Sequence, residues 1–135
     1  MNEAAFDLPA GFTDRTINHL EASAEDGSGI AILVERARLP DGTTLREAVS
    51  RRIGESRARW PNFSVLFEHA AIIAESEAID VGTRWRHDEG MVYTRQLHTV
   101  LNGVWLILTG ETALEDRELC DRTVDHVAAS LRRIQ

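Results

Sequence analysis

The chain has 135 residues, a formal net charge of −7 and a single cysteine, Cys120. One domain of this size buries roughly two-thirds of the surface its unfolded form would expose, so no metal or disulfide scaffold is required. The acidic balance excludes non-specific nucleic-acid binding, which needs a clustered positive surface, and because all 15 basic residues are arginine, lysine nucleophiles and Schiff-base chemistry are excluded too.

A lone thiol with no zinc-type Cys/His spacing around it fits a reducing compartment and reads as a small buried apolar residue. Met1 to Ala5 show no basic region followed by an apolar core, and no stretch approaches the roughly 18 apolar residues needed to span a bilayer. The expectation is a cytoplasmic, soluble protein without stable membrane insertion.

In chain order, Ala5 to Leu8 reads as a short strand that passes through Pro9-Ala10-Gly11 into a second strand near Arg15 to Glu21. The turn-rich Ser23 to Gly29 leads into Ile30 to Arg36, where Ile30, Ile32 and Val34 favour a strand. Leu39-Pro40-Asp41-Gly42 breaks it. Thr44-x-x-Glu47 then has the form of a capping box, and a helix to about Trp60 places Leu45, Ala48, Val49, Ile53 and Trp60 at helical spacing before Pro61 stops it. Strands follow from Phe63 to about Ile73 and, after a turn at Glu75-Ser76-Glu77, through Trp85 to a tip at His87-Asp88-Glu89-Gly90. Met91 to Leu101 and Val104 to Thr109 are joined by Asn102-Gly103, the strongest short hairpin signal in the chain, since a type I′ turn needs positive φ at both central residues. Thr112-x-x-Glu115 repeats the capping-box form ahead of a helix striped by Cys120, Val124, Val127, Leu131 and Ile134.

The order β-β-β-α-β-β-β-β-α predicts one α+β domain over residues 1–135, an antiparallel β-sheet sandwiched by two amphipathic helices. A two-residue hairpin loop sets Leu101 opposite Val104 and Gln96 opposite Thr109, which sorts the last two strands into two faces. One carries Met91, Tyr93, Arg95, Leu97, Leu101, Val104, Leu106 and Leu108 and is apolar enough to receive the helices. The other carries Val92, Thr94, Gln96, His98, Val100, Trp105, Ile107 and Thr109. That mixture of apolar and hydrogen-bonding groups suits an apolar partner, and it equally fits the inside of a dimer or a face covered by a loop.

Several motifs in order carry a family likeness: the opening F-D-L-P-A-G-F-x-D-R-T-I-N, the later W-P-N-F, T-R-W-R, and Thr94-Arg95-Gln96 entering a strand. Over nearly its whole length the chain resembles the DcrB-related, Eag-type chaperones of bacterial type VI secretion, whose fold is a Mog1/PsbP-like sandwich. The resemblance implies a cytoplasmic homodimer that holds the hydrophobic N-terminal transmembrane helices of a secreted effector until export. It implies no enzyme activity, no catalytic or metal-binding residues and no cofactor. Matched to that family's motifs, the client-contacting positions fall at Ile17, His19, Leu33, Arg52, Trp60, Val92 and Gln96. Gln96 lies on the mixed face, and its amide can donate and accept hydrogen bonds. His19 stands where the family has an aliphatic side chain and Arg52 where it has an uncharged amide.

Two other readings compete. An enzyme would recruit His69, His87, His98 and His126, but their spacing forms no triad and no metal set. A protein-binding adaptor on the same sandwich is the alternative; its periplasmic lipoprotein form needs a signal peptide and a lipidated cysteine, and its Mog1-like form would bind a folded polar surface.

Overall fold

The structure, a computed structural model, describes residues 16–23, 29–88 and 90–134; along 16–23 and 131–134 it describes the backbone alone. The strand expected at Ala5 to Leu8, most of the loop after Ser23 and Glu89 of the tip lie outside these residues.

The described elements are β1 (Thr16–Ser23), β2 (Gly29–Ala37), α1 (Leu45–Arg59), β3 (Ser64–Ile73), β4 (Ser76–His87), β5 (Gly90–Leu101), β6 (Val104–Ala113), a 3-10 turn (Leu114–Asp116) and α2 (Arg117–Ile134). The strands form one sheet in the order β1-β2-β6-β5-β4-β3, and every pairing is antiparallel. With a helix on each face, the molecule is the expected α+β sandwich.

This strand order explains where α1 lies. The chain leaves β2, re-enters the sheet at the far edge as β3 and walks back by hairpins until β6 closes against β2. It must therefore cross four inter-strand spacings, roughly 19 Å at 4.8 Å each. The 15 residues of α1 cover roughly 22 Å at 1.5 Å per residue, so the helix itself makes the crossing over one face. Thr44 begins it with the full capping box: its hydroxyl accepts from the Glu47 N–H at 3.1 Å, and its own N–H donates to Glu47 Oε1 at 3.0 Å.

α2 returns over the opposite face. There Cys120 and Val124 join Ile30, Ile32, Val34, Tyr93, Leu97, Leu106 and Leu108 in the main core. Close approach is possible because Gly110 has no side chain: a Cβ at that position would stand 2.5 Å from Val124 Cγ2 and 2.9 Å from Cys120 Sγ. Burial, more than any charge nearby, pushes the Cys120 thiol up to about 12, so it stays protonated and apolar in character.

Three sequence expectations are corrected here. The face with Tyr93 and Leu97 receives only α2, while α1 sits on the mixed face, because the chain has to cross between distant strands and the α2 face is already filled. The second capping box does not form: β6 continues to Ala113 with Thr112 paired to Tyr93, and the helix starts after a 3-10 turn whose N-cap, Ala113, makes no side-chain cap. The turn between β3 and β4 sits at Ala74-Glu75, one residue earlier than expected, with φ of 49° and 67°. The Asn102-Gly103 hairpin has the anticipated geometry, φ 53° and 80°, and the anticipated register.

Candidate functional site

Because side chains alternate along each strand, the mixed face can be read as rows across the sheet. One row runs His19, Leu33, Thr109, Gln96, Val81 and Glu68, each residue registered opposite the next. The neighbouring row runs Ile17, Glu35, Ile107, His98 and Ile79. Val92 lies further along β5, opposite Trp85. Five of the seven expected positions, Ile17, His19, Leu33, Gln96 and Val92, thus fall in strand positions that share one face, although four strands of the chain supply the rows' central residues.

The two remaining positions belong to α1 and its exit, and both reach into this face. Arg52 donates from Nη2 to Glu35 Oε1 at 2.7 Å, and Glu35 is only 1% exposed. Trp60 stacks on Trp85 with ring centroids 4.7 Å apart and planes 25° from parallel, while Phe63 tilts against it at 6.3 Å. The Arg86 N–H donates to the Pro61 carbonyl at 2.8 Å and ties this corner down. A pocket of about 230 Å3 opens beside α1, lined by Glu35, Ala48, Arg51, Arg52, Trp105 and Ile107 among others.

A chain of hydrogen bonds runs beneath the helix. Trp105 Nε1–H, which can only donate, meets His98 Nδ1 at 3.2 Å. The imidazole proton must then sit on Nε2, where it donates to Gln96 Oε1 at 2.9 Å. His98 is fully buried. Burial first, and the positive charge of Arg52 second, push its pKa down from 6.5 to about 3, which keeps it neutral in this one tautomer. Next to Gln96, Thr109 is 8% exposed, yet its hydroxyl has no hydrogen-bond partner. The sequence reading set His98, Trp105 and Thr109 on this face through the hairpin register but placed none of them among the client-contacting positions. It passed over Glu35 altogether, though the inward alternation of Ile30, Ile32 and Val34 already turns Glu35 to the other side.

On the α2 face, Arg95 forms a fork on Asp80 (Nε to Oδ1 3.0 Å, Nη2 to Oδ2 2.9 Å) and reaches Asp125 at 3.0 Å. Among the described residues no group of three His, Cys, Asp or Glu side chains could hold a metal ion, and no helix is long and apolar enough to cross a membrane.

The family model for DcrB matches residues 3–130. The chain belongs to the DcrB family. No curated protein sequence matches it. Among solved structures, this DcrB-family chain is similar to PA94 of Pseudomonas aeruginosa, a protein of unknown function, with a TM-score of 0.77 at 16% identity, covering 92% of this chain and 87% of that one. It is also similar to LpqN, involved in cell envelope biogenesis of Mycobacterium tuberculosis (TM-score 0.56, 13% identity, 90% and 84% covered). The solution structure of cyanobacterial PsbP from Synechocystis sp. PCC 6803 matches with a TM-score of 0.58 at 10% identity over 94% of this chain and 96% of that one. At these identities the likeness establishes the fold, which is the PsbP/Mog1-like sandwich expected for a DcrB-family chain.

Proposed function

We propose that this chain works by binding another protein, as a cytoplasmic homodimeric chaperone that shields the hydrophobic N-terminal transmembrane helices of a cognate type VI secretion effector before export. The observation that carries the reading is the convergence of Leu33, Val92, Gln96, Arg52 and Trp60, scattered over sixty residues of sequence, on the single face that α1 crosses. A transmembrane segment in water exposes roughly 20 apolar residues, and a face that mixes aliphatic, aromatic and hydrogen-bonding groups can cover such a helix while meeting its polar backbone. Membership of the DcrB family supports the same reading. Among the described residues β3 is an edge strand, and it carries Leu66 and Ile72, the latter 69% exposed, which is the kind of edge a second copy can cover.

The test is co-expression with the apolar N-terminal region of an effector encoded beside this gene, followed by size-exclusion chromatography with light scattering. A soluble complex with two copies of the chain per segment is expected. An aggregated segment with the chain left free and monomeric would count against both the chaperone and the dimer. A folded-surface adaptor is separated by Val92→Ala and Gln96→Ala, which it tolerates and a helix-shielding chaperone does not.

A further inference from the structure

The side of α1 turned away from the sheet differs in charge from the rest of the molecule. Within Leu45–Arg59 stand five arginines and two glutamates, a local charge of +3 in a chain whose total is −7, so the rest carries −10. Arg52 is turned inward onto Glu35, and Glu47 is engaged by the Thr44 cap. Arg46, Arg51, Arg57 and Arg59 are exposed, and among the described residues none of these four forms a salt bridge. Arg57 lies over the Phe63 ring at 5.5 Å, a contact that holds its position without neutralising it. With about 3.6 residues per turn, Ser50, Gly54 and Ala58 line up along this outward side, with Arg46 and Arg57 on one flank and Arg51 on the other, and all are exposed. Glycine inside a helix weakens it relative to alanine. Gly82 and Gly110 make room for neighbours within the chain, Phe67 for the one and Val124 with Cys120 for the other, whereas a Cβ at Gly54 would meet no atom within 4 Å.

We propose that the outward side of α1 is a docking surface for an acidic helix of a partner protein, whose carboxylates meet Arg46 and Arg57 on one flank and Arg51 on the other. Charge complementarity selects the partner. Arginine's planar fork matches a carboxylate in two-point contact, and exposed guanidinium groups without counterions are free to make that contact. The small side chains between the flanks let the partner's backbone come close, which gives Gly54 a use that nothing within the chain supplies. A long polyanion such as nucleic acid would be repelled by the −10 carried elsewhere, while a single acidic helix meets α1 alone. A lipid surface is the poorer match, since nothing between the arginines is large and apolar enough to insert among acyl chains. This surface points away from the face that would hold a client and does not depend on the chaperone reading.

Fluorescence anisotropy of the full chain with a labelled alanine-rich peptide tests it. The peptide has about 20 residues, long enough to be helical alone, and carries glutamates on both sides of one alanine stripe. Binding is expected, with an affinity that falls as salt is raised. Arg46→Gln, Arg51→Gln and Arg57→Gln should each weaken it about two- to fivefold, the worth of an exposed ion pair. Gly54→Leu should weaken it about tenfold by holding the two backbones apart. The same variant should leave the thermal midpoint of the free chain unchanged or raised, because leucine is the better helix former and its side chain meets open space. A helical peptide that does not bind overturns the docking surface. Binding that Gly54→Leu leaves intact, or that a glutamate-rich peptide kept non-helical by prolines reproduces, reduces the surface to charge alone and overturns the helical partner. Sedimentation of the chain with phosphatidylglycerol vesicles, lost in the arginine variants, would make a membrane the occupant and overturn the proposal in the same way.

Discussion

His98 shows how much one side chain can carry without any catalytic task. In the folded chain it resists protonation until about pH 3, whereas in the unfolded chain it titrates near 6.5. Between those values the unfolded state binds the extra proton, so stability is fully present above the unfolded pKa and declines as pH falls through it. From about pH 7 to pH 5 the loss should be about 2 kcal/mol. Denaturant titrations at the two pH values measure it, and His98→Gln should flatten the difference; an unchanged slope in that variant would show the proton is taken up elsewhere. The neutral imidazole is also what lets Gln96 keep its orientation. At the residue scale the sequence was informative about placement and silent about partnership. The Asn-Gly turn was enough to put Gln96, His98, Trp105 and Thr109 on one face, but which of them bond to each other depends on rotamers set by the helix above.

Among the elements, the two helices make an instructive contrast. The motif Thr44-x-x-Glu47 follows Pro40-Asp41-Gly42, where the chain has already left the sheet, and it caps α1 as expected. Thr112-x-x-Glu115 has the same letters, but Thr112 is still paired to Tyr93 of β5, and the sheet pairing prevails over a local cap. The start of α2 therefore shifts to Arg117, and its placement is decided by packing on Gly110 instead. Gly110→Ala should be destabilising by about 1–3 kcal/mol, the usual cost of forcing a methyl into a filled contact. Its effect should appear as a lower thermal midpoint with the α1 face unaffected; a variant as stable as the parent would mean that α2 can lift without cost. The β3–β4 turn was misplaced by one residue because Ala74 and Glu75 adopt positive φ without the glycine or asparagine that advertises it.

For the whole molecule, the decisive arrangement is one sheet with two unlike covers. The α2 side is a dry core welded at one end by charge: Arg95 on β5 holds Asp80 on β4 and Asp125 on α2, and Tyr93 donates to Asp121 at 2.8 Å. Burial opposes the charge on Arg95, yet its bonds to Asp80 and the nearby carboxylates hold its pKa above the ordinary arginine value. Arg95→Met leaves Asp80 without its counterion and should cost about 3–5 kcal/mol, whereas adding Asp80→Leu should recover most of that, since a well-filled apolar pair replaces a buried ion pair at little net cost. Urea unfolding of the two variants decides the point, and a double variant no better than the single would place the penalty in packing. By itself, the sequence determined the types of the described elements, the antiparallel hairpins, the two faces of β5 and β6 and the start of α1, because periodicity, turn chemistry and caps are local properties. Only the tertiary structure decided that β6 closes against β2, and hence that α1 must cross the mixed face and bring Arg52 to Glu35 and Trp60 to Trp85. That closure joins strands about seventy residues apart, and a long-range pairing is chosen by the competition of whole surfaces for burial, which no short window of sequence contains.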